Sequence, residues 1–201
     1  MADADIDRAA AIGSGVIGAG WVARLRLRGV DVRVFDPAND VAEVLDEVFE
    51  NARRAWRQME LEPPTGLIGS VTICESIAEA CTGAELVVES VPERIEIKHA
   101  TLEAIDNVTE ATAIIASSTS GFRPSVLAEP LGRPERLIVA HPFNPVYLLP
   151  LVELVGGTAT DSDVIDRARS LYQSLGMHPL HVRVEVDAHI ADRLLEAVWR
   201  E

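Results

Sequence analysis

The sequence predicts an α/β protein built on a doubly wound, mostly parallel sheet with flanking helices. Short apolar runs alternate with longer helical patterns along almost the whole chain, which is typical of parallel strands joined by crossover helices. Several of the runs are rich in Val, Ile and Leu throughout, as strands buried on both faces are. A glycine-rich turn also follows the first run directly and opens a helical pattern.

Eight strands are expected, in chain order over residues 9–13, 31–35, 70–74, 85–90, 113–117, 136–141, 151–155 and 178–182. The longest helical pattern follows the second strand, where apolar residues recur at helical spacing over 40–60. Another helix is expected over 187–201, where the chain stops without a Gly or Pro to end it. In the first helix, Arg24 and Arg28 are expected to form a solvated stripe.

The composition excludes several classes of protein. The 201 residues fit one globular domain and the beginning of a second, and the net charge of -14 without a basic patch argues against nucleic acid as a partner. No run is apolar enough to span a membrane and no signal peptide is evident, so no membrane partner is expected and the cytoplasm is the expected location. Cys74 and Cys81 have no Cys or His partners at metal-ligand spacing, so no metal site is expected.

The glycine-rich turn reads G-S-G-V-I-G and runs from Gly13 to Gly18. Gly13 permits the tight turn, Gly15 lets the backbone approach a pyrophosphate, and Gly18 permits close packing of helix on strand. Val16 and Ile17 open the helix, so its N-terminus faces the anion. A strand, this turn and a helix in succession predict a Rossmann-type dinucleotide site, and a plain glycine turn is the alternative.

Asp36 follows the second strand, about twenty residues past the glycines. A carboxylate there can accept hydrogen bonds from both ribose hydroxyls and repels a 2′-phosphate, so the predicted cofactor is NAD rather than NADP. A strand-end turn before Pro37 is the alternative interpretation. The predicted organisation is a Rossmann NAD-binding domain over 1–184 and the first helix of a truncated C-terminal helical domain over 185–201.

Three later motifs resemble the 3-hydroxyacyl-CoA dehydrogenase superfamily: A-S-S-T-S at 116–120, H-P-F-N-P at 141–145 and L-V-E at 151–153. The resemblance implies that Ser120, His141 and Glu153 surround a substrate hydroxyl. His141 would remove the proton, Glu153 would fix the ring through its other nitrogen, and Ser120 would orient the oxygen. Asn144 would order the loop that carries the base, although Asn before Pro is also a common turn.

The same resemblance implies that Glu93 and Lys98 lie beside the nicotinamide ribose, and a helix-start carboxylate and a helix-face lysine are the alternatives. It also implies a small-molecule substrate, a helical second domain that completes the substrate pocket, and a homodimer for the full-length protein. Since almost all of that second domain lies outside the 201 residues, NAD binding with little turnover is the expectation for this chain.

Ser118 and Asp192 stand where the hydroxyacyl-CoA enzymes usually carry Asn. Together with the strings SSTSG, HPFNPVYLLPLVE and IADRLLEAVWRE, they resemble the branch of the superfamily that oxidises L-carnitine to 3-dehydrocarnitine. A quaternary ammonium substrate calls for acidic or aromatic walls. The candidates for these walls are Phe122, Phe143, Tyr147 and Asp192. Oxidation of 3-hydroxybutyryl-CoA or L-gulonate is the alternative within the class, and a non-catalytic, crystallin-like NAD-binding protein is the alternative outside it.

Overall fold

The computed structural model describes residues 6–61 and 67–201. Eight strands form one sheet: β1 (Arg8–Ile12), β2 (Asp31–Phe35), β3 (Val71–Ile73), β4 (Leu86–Glu89), β5 (Ile114–Ser117), β6 (Leu137–Pro142), β7 (Leu151–Gly156) and β8 (His178–Val182). Their order across the sheet is β3-β2-β1-β4-β5-β6-β7-β8. All neighbours are parallel except β6 and β7, which are antiparallel. The predicted fold class and all eight predicted strands are confirmed.

The helices connect and cover the strands. They are α1 (Val16–Leu27), α2 (Val41–Gln58), α3 (Ile77–Cys81), α4 (Ile95–Val108), α5 (Pro124–Leu127), α6 (Ser162–Ser174) and α7 (Ile190–Arg200), with a 3-10 turn at Pro134–Arg136. The chain reverses its direction of winding between β1 and β4, and the crevice at the carboxyl ends of such strands is where α/β sheets bind ligands. No helix in the described ranges is long and apolar enough to cross a membrane.

The central strands bury both of their faces. In β1, Ala9 and Ala11 belong to one apolar cluster, and Ala10 and Ile12 belong to another. Successive strand residues point to opposite faces, so these two clusters are the apolar layers above and below the sheet. This two-sided burial explains why the strand sequences are continuously apolar rather than alternating.

Arg24 and Arg28 are buried, at 2% and 8% exposure, so the expected solvated stripe on α1 is wrong. The guanidinium of Arg24 donates to the carbonyls of Val146, Leu149 and Leu175, at 2.8, 3.2 and 3.4 Å. The helical pattern shows which positions share a face, but it does not show which later segment covers that face. The covering segments lie more than a hundred residues further along the chain.

The segment between β8 and α7 crosses the loop at the carboxyl end of β5. Glu185 accepts hydrogen bonds from the amide and the hydroxyl of Ser125, both at 2.6 Å, and Asp187 pairs with Arg123 at 3.1 Å. These contacts hold the segment outside the helix, so α7 begins at Ile190 rather than at residue 187.

Candidate active site

The glycine turn after β1 is tightly constrained on one side and open on the other. Gly13 has φ +93°, and a Cβ on it would lie 2.7 Å from the carbonyl oxygen of Ser90. A Cβ on Gly18 would lie 1.9 Å from the carbonyl oxygen of Gly13. A Cβ on Gly15, in contrast, would meet no atom within 4 Å. The turn therefore leaves open space at the N-terminus of α1, where the first amides of a helix have no intrahelical partner and attract an anion.

Asp36 lies directly against this turn. Its carboxylate accepts hydrogen bonds from the amide of Ser14 at 2.6 Å, the hydroxyl of Ser14 at 3.0 Å and the amide of Ala38 at 2.9 Å. A cavity of about 550 Å³ is bordered by Gly13, Gly15 and Asp36. Its remaining walls are mainly apolar, formed by Ile12, Phe35, Pro37, Ile77, Ser90, Val91, Pro92, Ile97 and Thr101. An apolar slot that ends on a carboxylate suits the adenosine half of a dinucleotide.

His141 and Glu153 face each other across the antiparallel pair of β6 and β7, where they are direct register partners. The distance from His141 Nδ1 to Glu153 Oε2 is 3.0 Å, and both side chains are buried. The carboxylate acceptor places a proton on Nδ1, which leaves Nε2 as the free lone pair of the neutral ring. The pair therefore has the geometry of an oriented general base.

Two side chains from the start of α7 complete the surroundings of His141. The ring of His189 stacks on that of His141, with centroids 4.3 Å apart and an interplanar angle of 17°. His189 Nε2 lies 3.0 Å from the carbonyl oxygen of Thr119. Asp192 Oδ2 lies 3.5 Å from Nε2 of His141. Burial lowers the pKa of His189, and the neighbouring His141 lowers it further, so His189 is neutral near pH 7.

His141, Glu153 and His189 place ligand-type atoms within 4.8 Å of one another. Nitrogen lone pairs lie in the plane of an imidazole ring, so two nearly parallel stacked rings cannot both direct a lone pair at one ion. We therefore interpret this cluster as an arrangement around a base rather than as a metal centre.

Glu93 anchors the loop that carries Ser120. Its carboxylate accepts hydrogen bonds from the hydroxyl of Thr119, from the amide of Ser120 at 3.2 Å and from the amide of Gly121 at 2.9 Å. Burial opposes ionisation of Glu93, but the Thr119 hydroxyl, the charge of Lys98 and the Gly121 amide outweigh it, so the pKa of Glu93 lies below its ordinary value. Glu93 is therefore an anion that holds the Ser120 backbone.

Lys98 lies beneath Glu93 with 1% of its side chain exposed. Its ammonium contacts Glu89 at 2.9 Å, Glu93 at 3.3 Å and the carbonyl oxygen of Val91 at 3.3 Å. Ser117 donates a further hydrogen bond of 2.5 Å to Glu89. An ammonium enclosed in this way acts on a ligand through Glu93 rather than by its own contact.

Asn144 is exposed and borders a second cavity of about 540 Å³, together with Gly15, Val16 and Tyr147. The predicted aromatic walls do not converge. Phe143 contacts the His141 ring edge-on, with centroids 5.4 Å apart, whereas Tyr147 borders the second cavity and Phe122 packs against the core. Of the predicted wall residues, Phe143 and Asp192 are the ones in contact with His141.

Comparison with family models matches residues 8–186 to the NAD binding domain of 3-hydroxyacyl-CoA dehydrogenase. The chain belongs to this family. Its cofactor is NAD, as the glycine turn and Asp36 predicted.

Relatives within and around the family have more specific names. The L-carnitine dehydrogenase of Mesorhizobium japonicum is 52% identical over 199 residues, which cover 98% of this chain and 54% of that protein. The L-carnitine dehydrogenase/betainyl-CoA thioesterase of Agrobacterium fabrum is 52% identical over 192 residues, which cover 96% of this chain and 39% of that protein. The solved structure of 5-formyl-3-hydroxy-2-methylpyridine 4-carboxylic acid 5-dehydrogenase, described as an NAD+-dependent dismutase, superimposes with a TM-score of 0.91 at 32% identity and covers 98% of this chain and 63% of that one. The chain thus spans 39% to 63% of the lengths of these relatives.

Within this dehydrogenase domain, the structure gathers most of the predicted residues along one edge of the sheet. His141 and Glu153 are in contact, and the Ser120 loop is joined to them through Thr119 and His189. Sequence analysis missed His189. Its available signal was weak, namely a His three residues before Asp192 at the start of a helix, which places both on one face.

Proposed function

We propose that this protein is an NAD-dependent oxidoreductase that oxidises the 3-hydroxyl of L-carnitine to give 3-dehydrocarnitine. The observation that carries the proposal is the buried His141–Glu153 pair at 3.0 Å, on the same domain as a cradle that fits NAD. Relatives that carry the name L-carnitine dehydrogenase and cover 98% of this chain at 52% identity support carnitine over an acyl-CoA or a sugar acid.

In the proposed mechanism, Nε2 of His141 accepts the proton of the substrate hydroxyl as the carbinol carbon is oxidised. Bound NAD+ supplies the hydride acceptor. Glu153 keeps the ring oriented through Nδ1 and stabilises the imidazolium that forms. Ser120 orients the substrate oxygen from a loop that Glu93 holds in place through backbone amides. His189 stacks on His141 and limits rotation of its ring.

We assign NAD binding to the turn formed by Gly13, Gly15, Val16, Ile17 and Gly18, and to Asp36. The proposal is supported by the open space at Gly15 and by the fixed carboxylate at the end of β2. Glu93 contributes at the nicotinamide end and Lys98 supports it from beneath. Asn144 borders the cavity next to Gly15 and Val16, which supports a role beside the cofactor rather than in the proton transfer.

We also propose that residues 185–201 belong to a second, helical domain, with the boundary of the NAD-binding domain near residue 184. The family match ends at residue 186, and α7 buries none of its residues. Its exposed apolar side chains include Leu194, Leu195, Val198 and Trp199, which a second domain or a partner subunit in a homodimer would cover. A cytoplasmic location agrees with the free thiols of Cys74 and Cys81.

The deciding experiment measures NADH formation by the full-length protein with L-carnitine, 3-hydroxybutyryl-CoA and L-gulonate, beside NAD affinity. L-Carnitine is expected to be the preferred substrate. His141→Ala should lower turnover by about a hundred-fold or more while NAD affinity is kept, whereas Asp36→Ala should weaken NAD binding. His181→Ala, which changes an exposed histidine on β8, is the matched control and should behave as the wild type. Wild-type turnover in the His141→Ala variant would remove His141 from the mechanism.

A further inference from the structure

Asp192 occupies the side of His141 from which a substrate must approach. Glu153 takes Nδ1 of the ring, and Asp192 Oδ2 lies 3.5 Å from Nε2, the nitrogen that receives the substrate proton in the proposed mechanism. The Asp192 side chain is 38% exposed, so it borders solvent as well as the base. A substrate hydroxyl bound to Nε2 therefore lies beside this carboxylate.

The two carboxylates at the base have no cationic partner of their own. In the described ranges, no Lys or Arg forms an ion pair with Glu153 or Asp192, and both pair only with His141. The single lysine of the sequence, Lys98, is held between Glu89 and Glu93. Two carboxylates without a cationic partner make the space beside Nε2 electrostatically negative, so it favours a ligand that carries positive charge.

A quaternary ammonium matches this pocket in chemistry as well as in charge. Its nitrogen carries four carbons and no hydrogen, so it is recognised by charge and apolar contact rather than by hydrogen bonds. Asp192 offers the charge, and Phe143, edge-on to the His141 ring at 5.4 Å, offers an aromatic wall. In L-carnitine a single methylene separates the carbinol carbon from the ammonium, so both groups fall within reach of neighbouring side chains.

We propose that Asp192 is the specificity-determining residue that binds the trimethylammonium group and selects 3-hydroxy acids that carry it over those with an uncharged group in its place. This inference rests on the proposed oxidation of L-carnitine. The ammonium group takes the Asp192 carboxylate as its counter-ion, and the lone pair on Nε2 of His141 then faces the hydroxyl proton. A substrate with an uncharged group in that place leaves the carboxylate beside Nε2 without that partner.

The test compares L-carnitine with its carbon isostere, 3-hydroxy-5,5-dimethylhexanoate, in which an uncharged tert-butyl group replaces trimethylammonium. Both are measured for kcat/KM and, by calorimetry, for binding to the NAD-loaded full-length protein. Asp192→Asn should reduce the preference for L-carnitine over the isostere by about tenfold or more, mainly because kcat/KM and affinity for L-carnitine fall. The preference is a ratio within one preparation, so it does not depend on the folded fraction of a variant. Asp192→Glu, which keeps the charge, should retain part of the preference.

Glu196→Gln is the matched control, because Glu196 is an exposed carboxylate on the same helix and pairs with Arg200. It should leave the preference unchanged. An Asp192→Asn variant that keeps the wild-type preference would overturn the assignment of Asp192 and leave the proposed function standing. A wild-type protein that oxidises another hydroxy acid but neither binds nor oxidises L-carnitine would overturn the proposed function itself.

Discussion

Gly15 and Gly18 of the glycine-rich turn have different surroundings, so a side chain added at each should have a different effect. Gly18 faces the backbone of Gly13, where an added Cβ would stand 1.9 Å from a carbonyl oxygen, whereas Gly15 faces open space. Gly15 also has φ -62° and ψ -170°, a conformation that any residue adopts. We therefore expect Gly18 to be required for folding and Gly15 for access of the cofactor.

Gly15→Ala should leave the free energy of unfolding within about 0.5 kcal/mol of the wild type and weaken NAD binding by about tenfold or more. The added methyl meets no protein atom but projects into the cradle. Gly18→Ala should lower the free energy of unfolding by several kcal/mol, because backbone must move to make room. Urea unfolding and NAD titration of both variants check this, and a Gly15→Ala protein with normal NAD affinity would contradict the assignment of the pyrophosphate position.

At the residue scale, the sequence predicted those side chains that are marked by the residues next to them in the chain. The glycines, Asp36 and the His141 motif each come with a local pattern of turn, strand end or motif residues. His189 was not predicted, because it is brought to the site by the fold and not by residues close to it in sequence. Its ring contacts Thr119, which lies 70 residues earlier in the chain, and no local pattern records that contact.

At the scale of elements, α4 and the loop after β5 are joined through Glu93. Since the pKa of Glu93 lies below its ordinary value, its ionised form stabilises the folded protein. This contribution is complete above the unfolded pKa of about 4.3 and is lost as the pH falls through the lower folded pKa. Stability from the loop contacts should therefore depend on pH only in the acidic range.

Glu93→Gln should lower the free energy of unfolding of the NAD-free protein by about 1 kcal/mol near pH 7, because the hydrogen bonds to Thr119, Ser120 and Gly121 lose their charged acceptor. The difference from the wild type should be smaller at about pH 3, below the unfolded pKa, where protonation of Glu93 begins to remove the contribution of its charge. Urea unfolding at the two pH values measures it. Glu96→Gln, an exposed change in the first turn of α4, which begins just after Glu93, is the control. An equal difference at both pH values would show that charge is not what holds the loop.

The central strands were predictable from their own sequences, whereas the start of α7 depends on residues elsewhere in the chain. A strand buried on both faces needs apolar residues in every position, so its sequence identifies it without knowledge of its neighbours. The start of α7 depends on the hydrogen bonds that Ser125 donates to Glu185 and on the ion pair between Arg123 and Asp187. Both partners lie at the start of α5, more than 50 residues earlier in the chain, so the helical pattern alone extended the predicted helix too far.

At the scale of the whole molecule, Arg24 connects α1, near the start of the fold, to segments near its end. Its guanidinium links α1 to the carbonyls of Val146 and Leu149, which follow β6, and to that of Leu175, at the end of α6. Burial, together with the charge of Arg28, lowers the pKa of Arg24 to about 10, so the side chain is still charged at pH 7. The cation has carbonyl oxygens as its hydrogen-bond partners, and two of these carbonyls belong to the loop after β6.

Arg24→Met should lower the free energy of unfolding by about 3 kcal/mol, at about 1 kcal/mol for each carbonyl that loses its donor. Arg24→Lys should recover only part of this loss, because one compact ammonium cannot reach three separate carbonyls in the geometry of a planar fork. Arg53→Met, which removes an exposed arginine paired with Glu50 on α2, should change stability by no more than about 0.5 kcal/mol. Urea unfolding ranks the three variants. If Arg24→Met instead proved more stable than the wild type, the desolvation of the guanidinium would exceed the value of its hydrogen bonds, and Arg24 would be retained for the placement of the loop after β6 rather than for stability.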